Sequence, residues 1–136
     1  MNILLSSVGR RPYLVRWFRD ALRDNAVDGT VIAADVDPHA PSRPFADAFV
    51  PAPTVVDPSY ESWLRRTLTE HDVDLAISIN DFELSTWALL SDDDELRSLV
   101  RLSADTQRVI EDKFATSQAL DAAEVPSPIT LSLIHI

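Results

Sequence analysis

Short apolar runs alternate along this chain with longer stretches whose apolar residues recur at helical spacing. The runs are Ile3–Leu5, Val31–Ala34, Ala46–Val50, Leu75–Ile79 and Leu99–Leu102. All are nearly continuous, the pattern of strands buried on both faces of a parallel sheet. Between them the period lengthens. Leu14, Val15, Phe18 and Leu22 make one helical stripe, with Pro12 in the first turn, where its missing N–H costs nothing. Asp57 and Pro58 are read as N-cap and first-turn proline of a second helix. That helix stacks Tyr60, Leu64 and Leu68, places Glu61 four residues before Arg65, and runs to about His71. Asn80, with Glu83 three residues on, fits a capping box for a helix reaching about Leu90. Ser91 is read as the cap of a short acidic turn through Asp92, Asp93, Asp94 and Glu95. Further helices are expected from Asp105 and from Asp112, the last ending before Val125-Pro-Ser-Pro128. Residues 38–45 carry three prolines and are loop.

Strands and helices in this alternation predict an open, mainly parallel, Rossmann-like α/β sheet with helices on both faces. Right-handed crossovers bring the loops that follow the strands to one edge, where ligands of such sheets bind. The loops Ser6–Arg11, Asp35–Pro38 and Asn80–Glu83 are therefore the candidate site. The first is the anchor: it leads from a strand into a helix N-terminus, whose free N–H groups and dipole favour an anion. Arg10 and Arg11 precede that helix and strengthen the preference.

Composition narrows the picture. At 136 residues the chain is one domain's worth, with 46% hydrophobic residues, mean hydropathy −0.03 and no cysteine. It has no disulfide framework, no thiolate metal site and no run of membrane-spanning length; the expectation is a cytoplasmic protein without a membrane partner. The net charge of −10 argues against nucleic-acid binding, but the charge is uneven. Residues 1–23 hold five arginines and one acid, a balance of +4; residues 24–136 hold seven bases and 21 acids, a balance of −14. Arg16, Arg19 and Arg23, with Asp20 among them, are read as the solvated outer face of the first helix.

Other chemistry is thin. His39, His71 and His135 are isolated, which argues against zinc. Asp35 and Asp37 more naturally cap a loop before proline than ligate magnesium. Ser6 and Ser7 lack a nucleophile-elbow pattern. Trp17, Trp63 and Trp87 fall on helices, where packing is the default role. No catalytic residue and no metal site is assigned.

Four motifs, in order, carry a resemblance: Ser6-Ser-Val-Gly-Arg-Arg11, Ile32-Ala-Ala-Asp-Val-Asp37-Pro38, Ile79-Asn-Asp81-Phe-Glu83 and Glu111-Asp-Lys113. Together they resemble the N-terminal pre-ATP-grasp domain of ATP-grasp ligases, especially bacterial carbamoyl-phosphate-synthetase-like proteins. The resemblance implies an ATP-dependent ligase that phosphorylates a small carboxylate and lets a nucleophile attack the acyl phosphate. It implies ATP and magnesium in the full-length parent, Gly9 and Arg10 in the substrate-side loop, and Lys113 on nucleotide phosphates. Arg11, Asp35, Asn80 and Asp81 complete the expected substrate-binding set. On this reading residues 1–111 are the pre-ATP-grasp domain and 112–130 the start of the ATP-grasp region. The chain would stop before the catalytic subdomains, a fragment inactive alone and holding no cofactor tightly. Residues 131–136 look like translated adapter sequence, the alternative being the first strand of the next domain. Two other functions compete: an NAD(P)-binding Rossmann domain with Asp35 on a ribose, and a stand-alone small-anion module. The sequence leaves the oligomeric state open.

Overall fold

A computed structural model describes residues 1–128; the expectation for residues 131–136 lies outside the described residues. Four strands, β1 (Asn2–Ser6), β2 (Thr30–Asp35), β3 (Ala48–Pro51) and β4 (Leu75–Ser78), form one parallel sheet in the order β3-β2-β1-β4. Five α-helices accompany them: α1 (Pro12–Asp24), α2 (Tyr60–Glu70), α3 (Asp81–Leu89), α4 (Ala104–Glu111) and α5 (Lys113–Ala122). The expected α/β sheet is present. Its continuous apolar runs are explained by burial on both sides. Ile3, Leu5, Val31 and Ala33 pack with Val15 and Leu22 of α1 on one face. Leu4, Ile32, Ala34 and Ala76 pack with Tyr60, Trp63, Leu64 and Leu68 of α2 and Trp87 of α3 on the other. Among the described residues no helix is long and apolar enough to cross a membrane.

The order of the strands fixes the site. From β1 the chain moves outward to β2 and β3, then α2 carries it back across the sheet to β4 on the far side of β1. The direction of winding reverses between β1 and β4, and the loops that leave their carboxyl ends diverge there, opening a crevice.

Several local expectations are corrected. Leu99–Leu102 is not a fifth strand: Leu99 makes a single parallel bridge to Ala76, and the chain then turns away. The reason is Arg101, whose guanidinium donates to the carbonyls of Trp87 and Leu90 at 2.9 Å and of Ser91 at 2.9 Å. It satisfies the open C-terminal end of α3 rather than a sheet ladder. Helix α2 starts at Tyr60, later than Asp57-Pro58 implied, because Asp57 turns the chain instead, accepting from the Ser59 amide and hydroxyl at 2.8 and 2.7 Å. Ser91 does not cap the acidic turn; its hydroxyl donates to Asp93 at 2.6 Å, and Asp93 pairs with Arg65 at 3.0 Å. Arg65 also meets Glu61 at 2.8 Å and Glu95 at 2.9 Å, binding the acidic turn to α2. Arg16 and Arg19 do more than solvate α1. Arg16 lies 4.8 Å over the Phe45 ring, and Arg19 pairs with Asp47 at 3.0 Å, so both brace the segment before β3. Trp63 and Trp87 are core residues, but Trp17 is 62% exposed and stacks only edge-on against Tyr13.

Candidate functional site

The loops after β1, β2 and β4 enclose an open cleft of about 740 Å³ at the carboxyl edge of the sheet. Ser7, Gly9, Arg10 and Arg11 form one wall; Asp35, Asp37, Ala40 and Pro41 form the second; Asn80, Asp81 and Phe82 form the third. Gly9, Arg10, Arg11, Asp35, Asn80 and Asp81, separated by up to 72 positions in sequence, are thus brought together.

The first wall is built on a close approach. The Gly9 amide donates to Asp35 Oδ2 at 2.7 Å, and a Cβ on Gly9 would lie 2.5 Å from the Asp35 carboxyl carbon. No other residue fits without displacing that carboxylate. The Gly9 carbonyl accepts from the Ser42 amide at 3.0 Å, so the loop is held from its second side as well. Asp35 Oδ1 takes the Asp37 amide at 3.1 Å. Asp35 therefore acts first as a brace between two loops, and what it offers a ligand is the remaining face of its carboxylate. Arg10 and Arg11 are exposed on this wall, and Arg11 donates to the Tyr13 hydroxyl at 3.0 Å. Among the described residues neither arginine pairs with a carboxylate. Arg11, at the N-cap of α1, has a side chain that cannot accept from the first-turn amides, so that helix end carries no side-chain cap.

On the third wall the Asn80 side chain accepts from the amides of Phe82 at 2.9 Å and Glu83 at 3.4 Å, the expected N-cap of α3. Asp81 stands exposed in the first turn beside it. Phe82 and Val36 are 77% and 56% exposed and give the cleft an apolar lip.

Glu83 is the residue whose place sequence reasoning missed. It does not complete a capping box. Its side chain turns inward and is 3% exposed, accepting from Ser6 at 2.7 Å, Ser7 at 2.8 Å, Ser78 at 2.5 Å and the Tyr60 hydroxyl. Trp87 Nε1 donates in turn to the Tyr60 oxygen at 2.9 Å. Burial, and then the charge of Glu83, push the Tyr60 phenol well above its ordinary pKa and keep it a donor. The signal was present: Ser6, Ser7 and Ser78 are hydroxyls at the ends of otherwise apolar runs, where a buried acceptor had to meet them. A smaller pocket of about 210 Å³ shares Ser7, Asp35 and Asn80 with the cleft and reaches Glu83 and Tyr60 from the α2 side. Lys113, by contrast, opens α5 as an exposed residue capped by Asp112, and does not line the cleft.

Residues 3–100 match the family model described as PylC-like, N-terminal domain. Among solved structures, N5-carboxyaminoimidazole ribonucleotide synthetase from Thermotoga maritima superposes with a TM-score of 0.61 at 16% identity, over 94% of this chain and 32% of that one. L-amino acid ligase from Bacillus licheniformis superposes with a TM-score of 0.61 at 17% identity, over 99% of this chain and 34% of that one. At such identity the likeness is one of fold, and this chain spans about a third of the length of either protein. No curated protein matches it.

Proposed function

This chain belongs to the PylC-like N-terminal domain family, the pre-ATP-grasp domain of ATP-grasp ligases, and from that premise we propose that its cleft is the substrate-side site of an ATP-dependent carboxylate ligase. The observation that carries the reading is the first wall. Two arginines with no acid partner among the described residues adjoin a helix end without a side-chain cap at the topological switch point, and Gly9 lets the loop pack against Asp35. A guanidinium fork matches a carboxylate in two parallel hydrogen bonds. Across the cleft Asp81 would take a donor group of the same molecule, Asn80, whose oxygen caps α3, would donate through its amide nitrogen, and Phe82 and Val36 would cover the apolar part.

In the reaction we propose, a carboxylate oxygen attacks the γ-phosphorus of ATP and ADP leaves. A nucleophile then attacks the acyl carbon, and phosphate departs with that oxygen. This domain would hold the carboxylate; ATP and magnesium would lie on the part of such ligases that the chain does not overlap, with Lys113 at the boundary as a phosphate contact. Both superposed proteins are a synthetase and a ligase by name, which supports the reading at the level of reaction class.

Titration of the chain with succinate and with inorganic phosphate, followed through the Gly9 and Arg10 amide resonances, tests the binding part. Saturable shifts are expected, with Arg10→Ala weakening them about tenfold, the worth of one charge-assisted contact. Equal binding by Arg10→Ala would remove the arginine from the site, and saturation by NAD without either anion would favour the dinucleotide alternative. The chemistry is tested in a protein carrying this domain with its ATP-binding part: label in the carboxylate oxygens should appear in the released phosphate.

A further inference from the structure

Glu83 is buried yet accepts from four hydroxyls, and the cleft-binding residues do not account for that cluster. Its four hydroxyl donors come from β1 (Ser6), the β1–α1 loop (Ser7), α2 (Tyr60) and β4 (Ser78), while Glu83 itself belongs to α3. No cation takes part among the described residues. A carboxylate is acceptor-only with about four lone-pair sites, so the hydroxyls fill its capacity and compensate its burial. Three of the donors are core groups, with Ser6, Tyr60 and Ser78 buried. Ser7 is different. It is half-buried, lines both the cleft and the smaller pocket, and is the residue from which the anion loop departs.

Ser7 also has φ of 58°, in the left-handed region. That conformation is unfavourable for a non-glycine residue and persists only where the surroundings impose it. Its hydroxyl bond to Glu83 Oε2 at 2.8 Å is the side-chain contact that does so. The same bond spends the Ser7 proton inward, leaving the oxygen's lone pairs for the cleft. Without that bond the loop would keep its Val8–Ala34, Arg11–Val8, Gly9–Asp35 and Gly9–Ser42 links but lose the side-chain tie of its first residue.

We propose that Glu83 is a positioning residue of the cleft, its buried carboxylate holding Ser7, and through it the Ser7–Arg11 loop, in the geometry that presents Arg10 to a ligand. The inference rests on the anion-site reading of the cleft, but one of its two readouts does not depend on a ligand.

The experiment compares Glu83→Gln, Ser7→Ala and Tyr60→Phe in the same chain by amide hydrogen exchange and by succinate titration. Glu83→Gln and Ser7→Ala should each speed exchange at Gly9 and Arg11 about tenfold while β1 and β2 amides keep their protection, and weaken succinate by a similar factor. In the loop readouts the double variant should lose little more than Glu83→Gln alone, because the Ser7–Glu83 bond that Ser7→Ala removes is already disturbed there. Tyr60→Phe leaves that bond intact; it should lower the melting temperature and leave the loop exchange and succinate affinity unchanged. Unaltered loop exchange in both variants overturns the proposal, as does a uniform acceleration across sheet and loop, which marks a purely structural carboxylate. Should Glu83→Gln fail to fold, Ser7→Ala alone decides. If succinate does not bind the wild-type chain, the anion reading falls while the exchange readout still judges Glu83.

Discussion

At the residue scale, what a side chain does here depends on what the fold brings opposite it. Gly9 and Asp35 lie 26 positions apart, and the chain pattern marked both as ligand residues without relating them. In three dimensions they are a pair: glycine is required because a carboxylate occupies the space its Cβ would take. Gly9→Ala should therefore lower stability by about 1–3 kcal/mol, the range for forced overpacking. Because the clash is with Asp35 and no left-handed φ is involved, the Gly9→Ala/Asp35→Ala double variant should cost less than the sum of the single ones in denaturant titrations. Additive losses would show the strain to lie elsewhere. Glu83 makes the same point. From sequence alone a glutamate three residues after Asn80 is a capping partner, and only the four hydroxyls around it show otherwise. The loop arginines were legible because no helical stripe accounted for them, and both line the cleft.

At the scale of elements, most helix beginnings and ends were readable, the start of α2 being the exception. Pro12, Asn80 and Asp112 mark their starts, since caps and first-turn prolines act through neighbours in sequence. The ends, read at about His71, about Leu90 and before Val125, fall at the C-caps His71, Leu90 and Ala123, none of them with a glycine. With two glycines in the chain, α1, α2 and α5 close through Ala26, Asp72 and Glu124 at φ of 52°, 47° and 56°. Each closure has paired end bonds, as where Val27 donates to the Leu22 carbonyl at 2.9 Å and Ala26 to the Arg23 carbonyl at 3.0 Å. Ala26→Gly relieves a left-handed alanine at the cost of a looser unfolded chain, and should stabilise by about 0.5–1 kcal/mol in thermal melts. A loss would mean that the helix end relaxes without it. Asn80→Ala removes the α3 cap and should cost about 1 kcal/mol. The absent fifth strand belongs to this scale too. Leu99 to Leu102 reads as a strand until Arg101 is seen to serve the carbonyls of α3, a long-range demand that periodicity does not register.

For the molecule as a whole, electrostatics couples the acidic turn to stability. The Arg65 guanidinium, with help from Ser91, draws the Asp93 carboxyl down to about 2. A depressed folded-state pKa contributes stability that is present above the unfolded value and lost as pH falls through the folded one. The Asp93 contribution should thus be intact at neutral pH and fade between about pH 4 and pH 2. Melting curves of wild type and Asp93→Asn should differ at pH 6 and converge across that window; a gap that stays constant would discount the pair. The class of this protein follows from local pattern. Continuous apolar runs separated by helical stripes can be buried only as a parallel sheet covered on both faces, and the polar loops after the strands are then forced to one edge. Those are consequences of local period and of the handedness of crossovers. The tertiary structure alone decided that the order is β3-β2-β1-β4, that the cleft opens between β1 and β4, and that Glu83 lies inward beneath it. Each of these depends on contacts between residues distant in the chain, where the energy of burial and of paired charge overrides what neighbouring residues prefer.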